Sequence, residues 1–138
     1  MNDKEEPPVE PISLETRIQD PAFGEKLTRL YGAEGAEAAR TRCAAAVAGF
    51  TKTFESLPEA LFSAPGRTEL GGNHTDHQHG RVLAASVDLD ILAAAAPNQS
   101  GMIRVQSQGY PLIVVDLHEL TPKPEEENTS ADLIRGVA

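Results

Sequence analysis

Apolar positions along the chain follow two different periods. Over residues 36–54 they fall at Ala36, Ala39, Cys43, Val47, Phe50 and Phe54. Spacings of three and four stack these residues on one face of an α-helix. Arg40, Arg42 and Lys52 lie mostly off that face, and Pro58 stands beyond the end. A shorter helix is predicted from Phe23 to Tyr31, closed by Gly32. After Phe54 the pattern turns to short runs of strand length. Leu61-Phe62-Ser63-Ala64 reads as a strand entering Pro65-Gly66, and residues 82–85 and 91–96 are further apolar runs. Residues 102–106 alternate, with Arg104 and Gln106 on one side, and residues 112–116 are compact and β-branched. Turn chemistry at Pro97-Asn98-Gln99-Ser100-Gly101 and Gln108-Gly109-Tyr110-Pro111 separates the later runs, whose close spacing favours antiparallel hairpins. The predicted fold is α+β, with N-terminal helices packed on a mixed, mostly antiparallel sheet.

The ends of the chain are polar. Residues 1–11 hold three prolines and several acids, and a flexible lead-in is assigned to residues 1–20, with the folded part at 21–138. Residues 121–128, including Glu125-Glu126-Glu127, read as a solvated acidic linker. Thr129-Ser130-Ala131-Asp132 then matches a capping box ahead of Leu133, Ile134 and Val137. A helix of about two turns is not stable alone, so the chain is expected to be the front of a longer protein.

Charge and cysteine content narrow the classes. A net charge of −9 argues against nucleic acid or an anionic membrane as main partner. Cys43 is the single cysteine and falls on the helical apolar face, where packing is the expected role. There is no secretory pattern at the N-terminus and no apolar run of spanning length, which predicts a cytoplasmic protein.

One stretch stands apart from this scaffold. Residues 66–80, Gly66-Arg67-Thr68-Glu69-Leu70-Gly71-Gly72-Asn73-His74-Thr75-Asp76-His77-Gln78-His79-Gly80, combine glycines with Arg, His, Asp and Asn. Glycine lets backbone approach a ligand closely, and the polar side chains cover the contacts that a sugar or a phosphate requires. The residues themselves leave a metal site open too, through His74, His77, His79 and Asp76, although the spacing is not the helical His-Glu-x-x-His pattern. Arg67 can alternatively serve as an ion-pair partner for a nearby acid. Asp88 and Asp90 read as turn or solvent-facing carboxylates, with contact of one of them to the glycine-rich stretch as the alternative, His118 as a surface residue, and Tyr31 and Tyr110 as packing or turn positions.

Residues 65–77 resemble the signature of galactokinases, in the GHMP group of small-molecule kinases, written P-G-R-x-N-L-I-G-E-H-x-D-Y. Pro65, Gly66, Arg67, Leu70, Gly72, His74 and Asp76 fit it. Gly80 with Val82-Leu83, then Val87-Asp88, and finally Leu133 to Val137 are similar to later family segments, so the resemblance covers roughly residues 20–138. It implies the front part of the group's N-terminal domain and ATP-dependent phosphorylation of galactose or a related hexose at the anomeric hydroxyl, with ATP and Mg2+ as cofactors. By position, Arg67 would stand near that hydroxyl beside the catalytic aspartate. His74 and Asp76 would bind sugar hydroxyls, Asn73 would take the place of an acid, and Gly66, Gly72 and Gly80 would shape the loop. Glu69, Gly71, Asn73 and His77 depart from the family pattern. The family's phosphate loop, G-L-[SG]-S-S-A, and its M-D-Q base segment have no match in these 138 residues. This part alone is therefore expected to be inactive. The alternatives are a non-catalytic sugar-binding relative and a His-cluster metal module.

Overall fold

The computed structural model describes residues 13–72 and 79–138. The chain begins with a six-residue helix α1 (Leu14–Gln19), capped by Ser13, whose hydroxyl accepts the Thr16 N–H. These residues belong to the stretch assigned to the lead-in. They are helical because Ile18, 1% exposed, anchors them to the next helix. That helix, α2 (Pro21–Phe54), starts at an Asp20 cap with Pro21 in the first turn, where a missing N–H costs nothing. It is interrupted at Gly32, whose φ of 73° and ψ of 167° lie outside the helical region, so the sequence-predicted stop is present. Glu55, at φ 53°, ends the helix and donates its N–H to the Thr51 carbonyl.

The predicted apolar face of α2 is the one that packs. Ile18, Cys43 and Val47 form the core, with Leu14, Phe23, Leu61 and Leu92 packed against it. Phe50 and Phe54 stack one turn apart with centroids 4.8 Å apart. Cys43 is buried and burial pushes its thiol pKa up, as suits a packing residue. Arg40 closes the corner by donating to the Ile18 carbonyl, one of the last carbonyls of α1.

Two antiparallel two-stranded sheets follow, rather than one mixed sheet. In the first, β1 (Ala60–Gly71) pairs with β2 (Leu83–Ala95). Both strands are longer than the apolar runs predict. β1 continues through Pro65, Gly66 and Arg67, so the front half of the glycine-rich stretch is strand, not loop. β2 joins two runs read as separate, and Asp88 and Asp90 lie inside it instead of in a turn. The hydrophobic pattern missed this because the sheet is half open to solvent. Leu61 and Leu92 face α2, while Phe62 and Ile91 on the other face are 60% and 76% exposed.

In the second sheet, β3 (Met102–Val105) pairs with β4 (Ile113–Asp116), and helix α3 (Ser130–Val137) packs on β4. Val115 is fully buried there. The hydroxyl half of the predicted capping box forms, with Thr129 accepting the Asp132 N–H at 3.3 Å, while the Thr129 N–H donates to the Glu126 carbonyl at 2.9 Å instead of to Asp132. Contrary to the linker reading, Glu126 sits in a 3-10 turn (Pro124–Glu126) and grips buried Arg135. The Arg135 Nε and Nη2 donate to its two carboxylate oxygens at 2.8 Å each, and Nη1 donates to the Glu119 carbonyl. A bidentate fork of this kind fixes geometry as well as charge. Leu133 and Val137, apolar positions of α3, are 70% and 81% exposed. Among the described residues no helix is long and apolar enough to cross a membrane.

Candidate functional site

The glycine-rich stretch is carried at the far end of the first hairpin. Its strand portion is irregular in two places. Pro65 pairs with Asp90 and Arg67 with Ser86, so Gly66 alone stands opposite Val87, Asp88 and Leu89. Two residues further on, Glu69 pairs with Ala84 and Gly71 with Leu83, which leaves Leu70 as an extra residue on β1. Bulges increase local twist and re-aim side chains. Gly66 suits its bulge because a Cβ there would stand 3.1 Å from Val87 Cγ2 and 3.3 Å from the Leu89 carbonyl oxygen.

Gly72 closes the strand at φ 87°, where a Cβ would run into the carbonyl oxygen of Arg81. The backbone at residue 72 therefore lies in contact with that at residues 81 and 82, which only glycine permits. His79 also takes a positive φ, 58°, and Gly80 is exposed beside it. Asn73, His74, Asp76 and His77 lie outside the described residues. Arg67 is exposed on β1, and no acid among the described residues pairs with it. Among the described residues there is no group of His, Cys, Asp or Glu fit to hold a metal ion.

Immediately before Gly66 the structure places a cluster that the sequence reading missed. The Asp90 side chain is 3% exposed. Its Oδ2 accepts from the Tyr31 and Ser63 hydroxyls, both at 2.6 Å, and its Oδ1 accepts from Arg42 Nη1 at 2.7 Å. Arg42 Nη2 also reaches the Asp90 carbonyl at 3.2 Å. Burying a carboxylate is costly unless it is paired and hydrogen-bonded, and here the donors come from α2 and β1 together. The Ser63 hydroxyl, then Tyr31 and Arg42, lower the Asp90 pKa to about 2. The bond to the carboxylate raises that of Tyr31 in turn. The available signal was period two: on one continuous strand, Asp90 shares the inward face with Leu92 and Ala94.

This network makes stability depend on pH in a definite direction. Asp90 titrates lower in the folded chain than the ordinary value near 3.9 of an unfolded Asp. Its contribution is thus complete above about pH 4 and is lost as pH falls toward 2. Because Arg42 is half open to water, a contribution of about 1–2 kcal/mol is expected. Urea titrations between pH 2 and 6 should show Asp90→Asn losing less stability on acidification than the parent; equal losses would contradict this assignment.

The hairpin with its closing segment coincides with a known sequence unit. Residues 48–97 match the family model described as the galactokinase galactose-binding signature, which spans the end of α2, β1, the connecting segment and β2. The chain carries that signature and is a relative of galactokinases over this region. It is 31% identical over 91 residues to a galactokinase of Lacticaseibacillus casei (strain BL23), covering 65% of this chain and 24% of that protein. The galactokinase of Lactiplantibacillus plantarum is 31% identical over 75 residues, or 52% of this chain and 19% of that protein. Human galactokinase is 37% identical over 54 residues, 39% of this chain and 14% of its own. The chain thus spans about a quarter or less of the length of these relatives. No solved structure matches it.

Proposed function

We propose that the chain is the sugar-binding part of a cytoplasmic galactokinase-like sugar 1-kinase, built as the front of a GHMP-type N-terminal domain. The observation that carries this reading is the match of residues 48–97 to the galactose-binding signature, which takes in the whole hairpin. Asp76 accepts hydrogen bonds from two sugar hydroxyls, as a carboxylate can. His74 and Asn73 complete the hold on the ring. Arg67, one strand pair beyond the bulge, lies toward the anomeric hydroxyl. There its fixed charge and planar fork suit the oxygens of a transferring phosphoryl group. Gly66, Gly72 and Gly80 let the backbone fold around the ligand.

ATP with Mg2+ is the phosphoryl source that the family relation implies. The described residues do not fit that group, since they offer no acidic cluster for a cation, and the sequence has no phosphate loop. No step through it is assigned to this chain. Galactose or a related hexose is expected to bind the 138 residues without being phosphorylated by them.

The test is thermal unfolding with increasing D-galactose. Binding to the native state alone stabilises by about 2.7 kcal/mol at a hundred times Kd, so the melting temperature should climb with sugar and Asp76→Ala should remove the climb. An unchanged melting temperature across D-galactose and other hexoses would defeat the reading. Sugar-dependent ADP release by the purified chain would overturn the expected lack of turnover.

A further inference from the structure

We infer that Asp90 is a positioning residue for the sugar-binding loop, locking the hairpin in register where β1 runs into Gly66 and Arg67. The inference rests on the proposed role of that loop. Three observations carry it. First, Asp90 is the ladder partner of Pro65, which has no N–H to give, and the following pair skips three residues of β2. Backbone bonding is therefore thinnest at the point where the strand must enter the site. Second, the carboxylate ties that point to both neighbours, to Ser63 on β1 and to Tyr31 and Arg42 on α2. Third, Gly66 leaves no room for a Cβ against Val87 and Leu89, so the two strands run close there and a slip of β2 would displace the backbone that leads to Arg67. A one-residue slip turns every side chain of a strand to the opposite face. Asp90 does not touch substrate itself, because it is covered and its oxygens are occupied by donors of this chain.

The experiment compares the 138-residue chain with Asp90→Asn and with Tyr31→Phe, which removes a single donor and keeps the carboxylate. Amide hydrogen exchange is followed without sugar, and D-galactose affinity by calorimetry. In Asp90→Asn, exchange should accelerate about tenfold or more at residues 66–72 and 87–89, while β4 and the centre of α2 keep their protection. D-galactose should bind about tenfold more weakly. Tyr31→Phe should give smaller changes at the same amides, and it decides the matter if Asp90→Asn does not fold. Unchanged exchange at those amides, or uniform acceleration through α2 and the hairpin, would overturn the inference. So would unaltered D-galactose affinity in the variants. If the parent chain binds no hexose, the proposed function fails, and the exchange pattern alone decides the role of Asp90.

Discussion

Gly72→Val is expected to cost about 2–3 kcal/mol of stability and to abolish D-galactose binding, whereas Gly71→Ala next to it should change stability by less than about 0.5 kcal/mol. The two glycines sit in different surroundings. Gly72 has a φ of 87°, and besides the Arg81 oxygen a Cβ would meet Val82 Cα at 3.0 Å and the Arg81 carbonyl carbon at 3.1 Å. These are backbone atoms, which cannot swing aside as a flexible side chain does. A β-branched residue is also an outlier at positive φ. Relief requires the contact between residues 72 and 81 to open, and those two residues flank Asn73, His74 and Asp76 in the chain. At Gly71 nothing lies within 4 Å of a Cβ. Urea unfolding and calorimetry on the two variants check this. Equal behaviour at both positions would mean that the contact between residues 72 and 81 is not what holds the loop.

The other large effect is expected at Ile18. Truncation to alanine should destabilise the chain by about 3 kcal/mol, and Ile18→Val by about 1 kcal/mol. Ile18 is 1% exposed against Cys43 and Val47, so the removed atoms leave a cavity that α1 must collapse to fill. A helix of six residues has no stability of its own. Its hold on α2 is this side chain with Leu14 beside it, together with the Arg40 contact to the Ile18 carbonyl. Loss of amide protection in α1 ahead of global unfolding should accompany the change. Ile18→Ala with the parent's urea midpoint would remove Ile18 from the core.

Those two sites differ in how far the sequence announced them. The glycine-rich stretch stood out because no ordinary core strand needs its composition, and α2 because a buried helix face repeats its apolar residues every turn. Ile18 did not stand out, since a single i, i+4 pair with Leu14 among Glu15, Thr16, Arg17, Gln19 and Asp20 is too short to read as a helix face. The joined strand β2 was hidden for a related reason. Its outward face holds Leu89 and Ile91 and its inward face holds Asp90, which inverts the usual alternation. Asp90 and Glu126 were read as solvated acids because their partners lie far along the chain, at Tyr31 and Arg42 or at Arg135. Local pattern carries no information on such pairs. The Thr129 cap and the Gly32 stop were legible because both are governed by residues within one helical turn.

Gly32 also explains how one carboxylate can serve both sides of the break in α2. Tyr31 and Arg42 are eleven positions apart, and on an uninterrupted helix that separation is about 16 Å along the axis. Side chains that distant would have to stretch toward each other to share an anion. The φ of 73° and ψ of 167° at Gly32 occupy a region that is essentially glycine's alone. A Cβ there meets no atom within 4 Å, so nothing but backbone preference reserves the position. The break shortens the span by geometry rather than by packing. It lets the last residue of one helical segment and the third turn of the next converge on a single point of the hairpin.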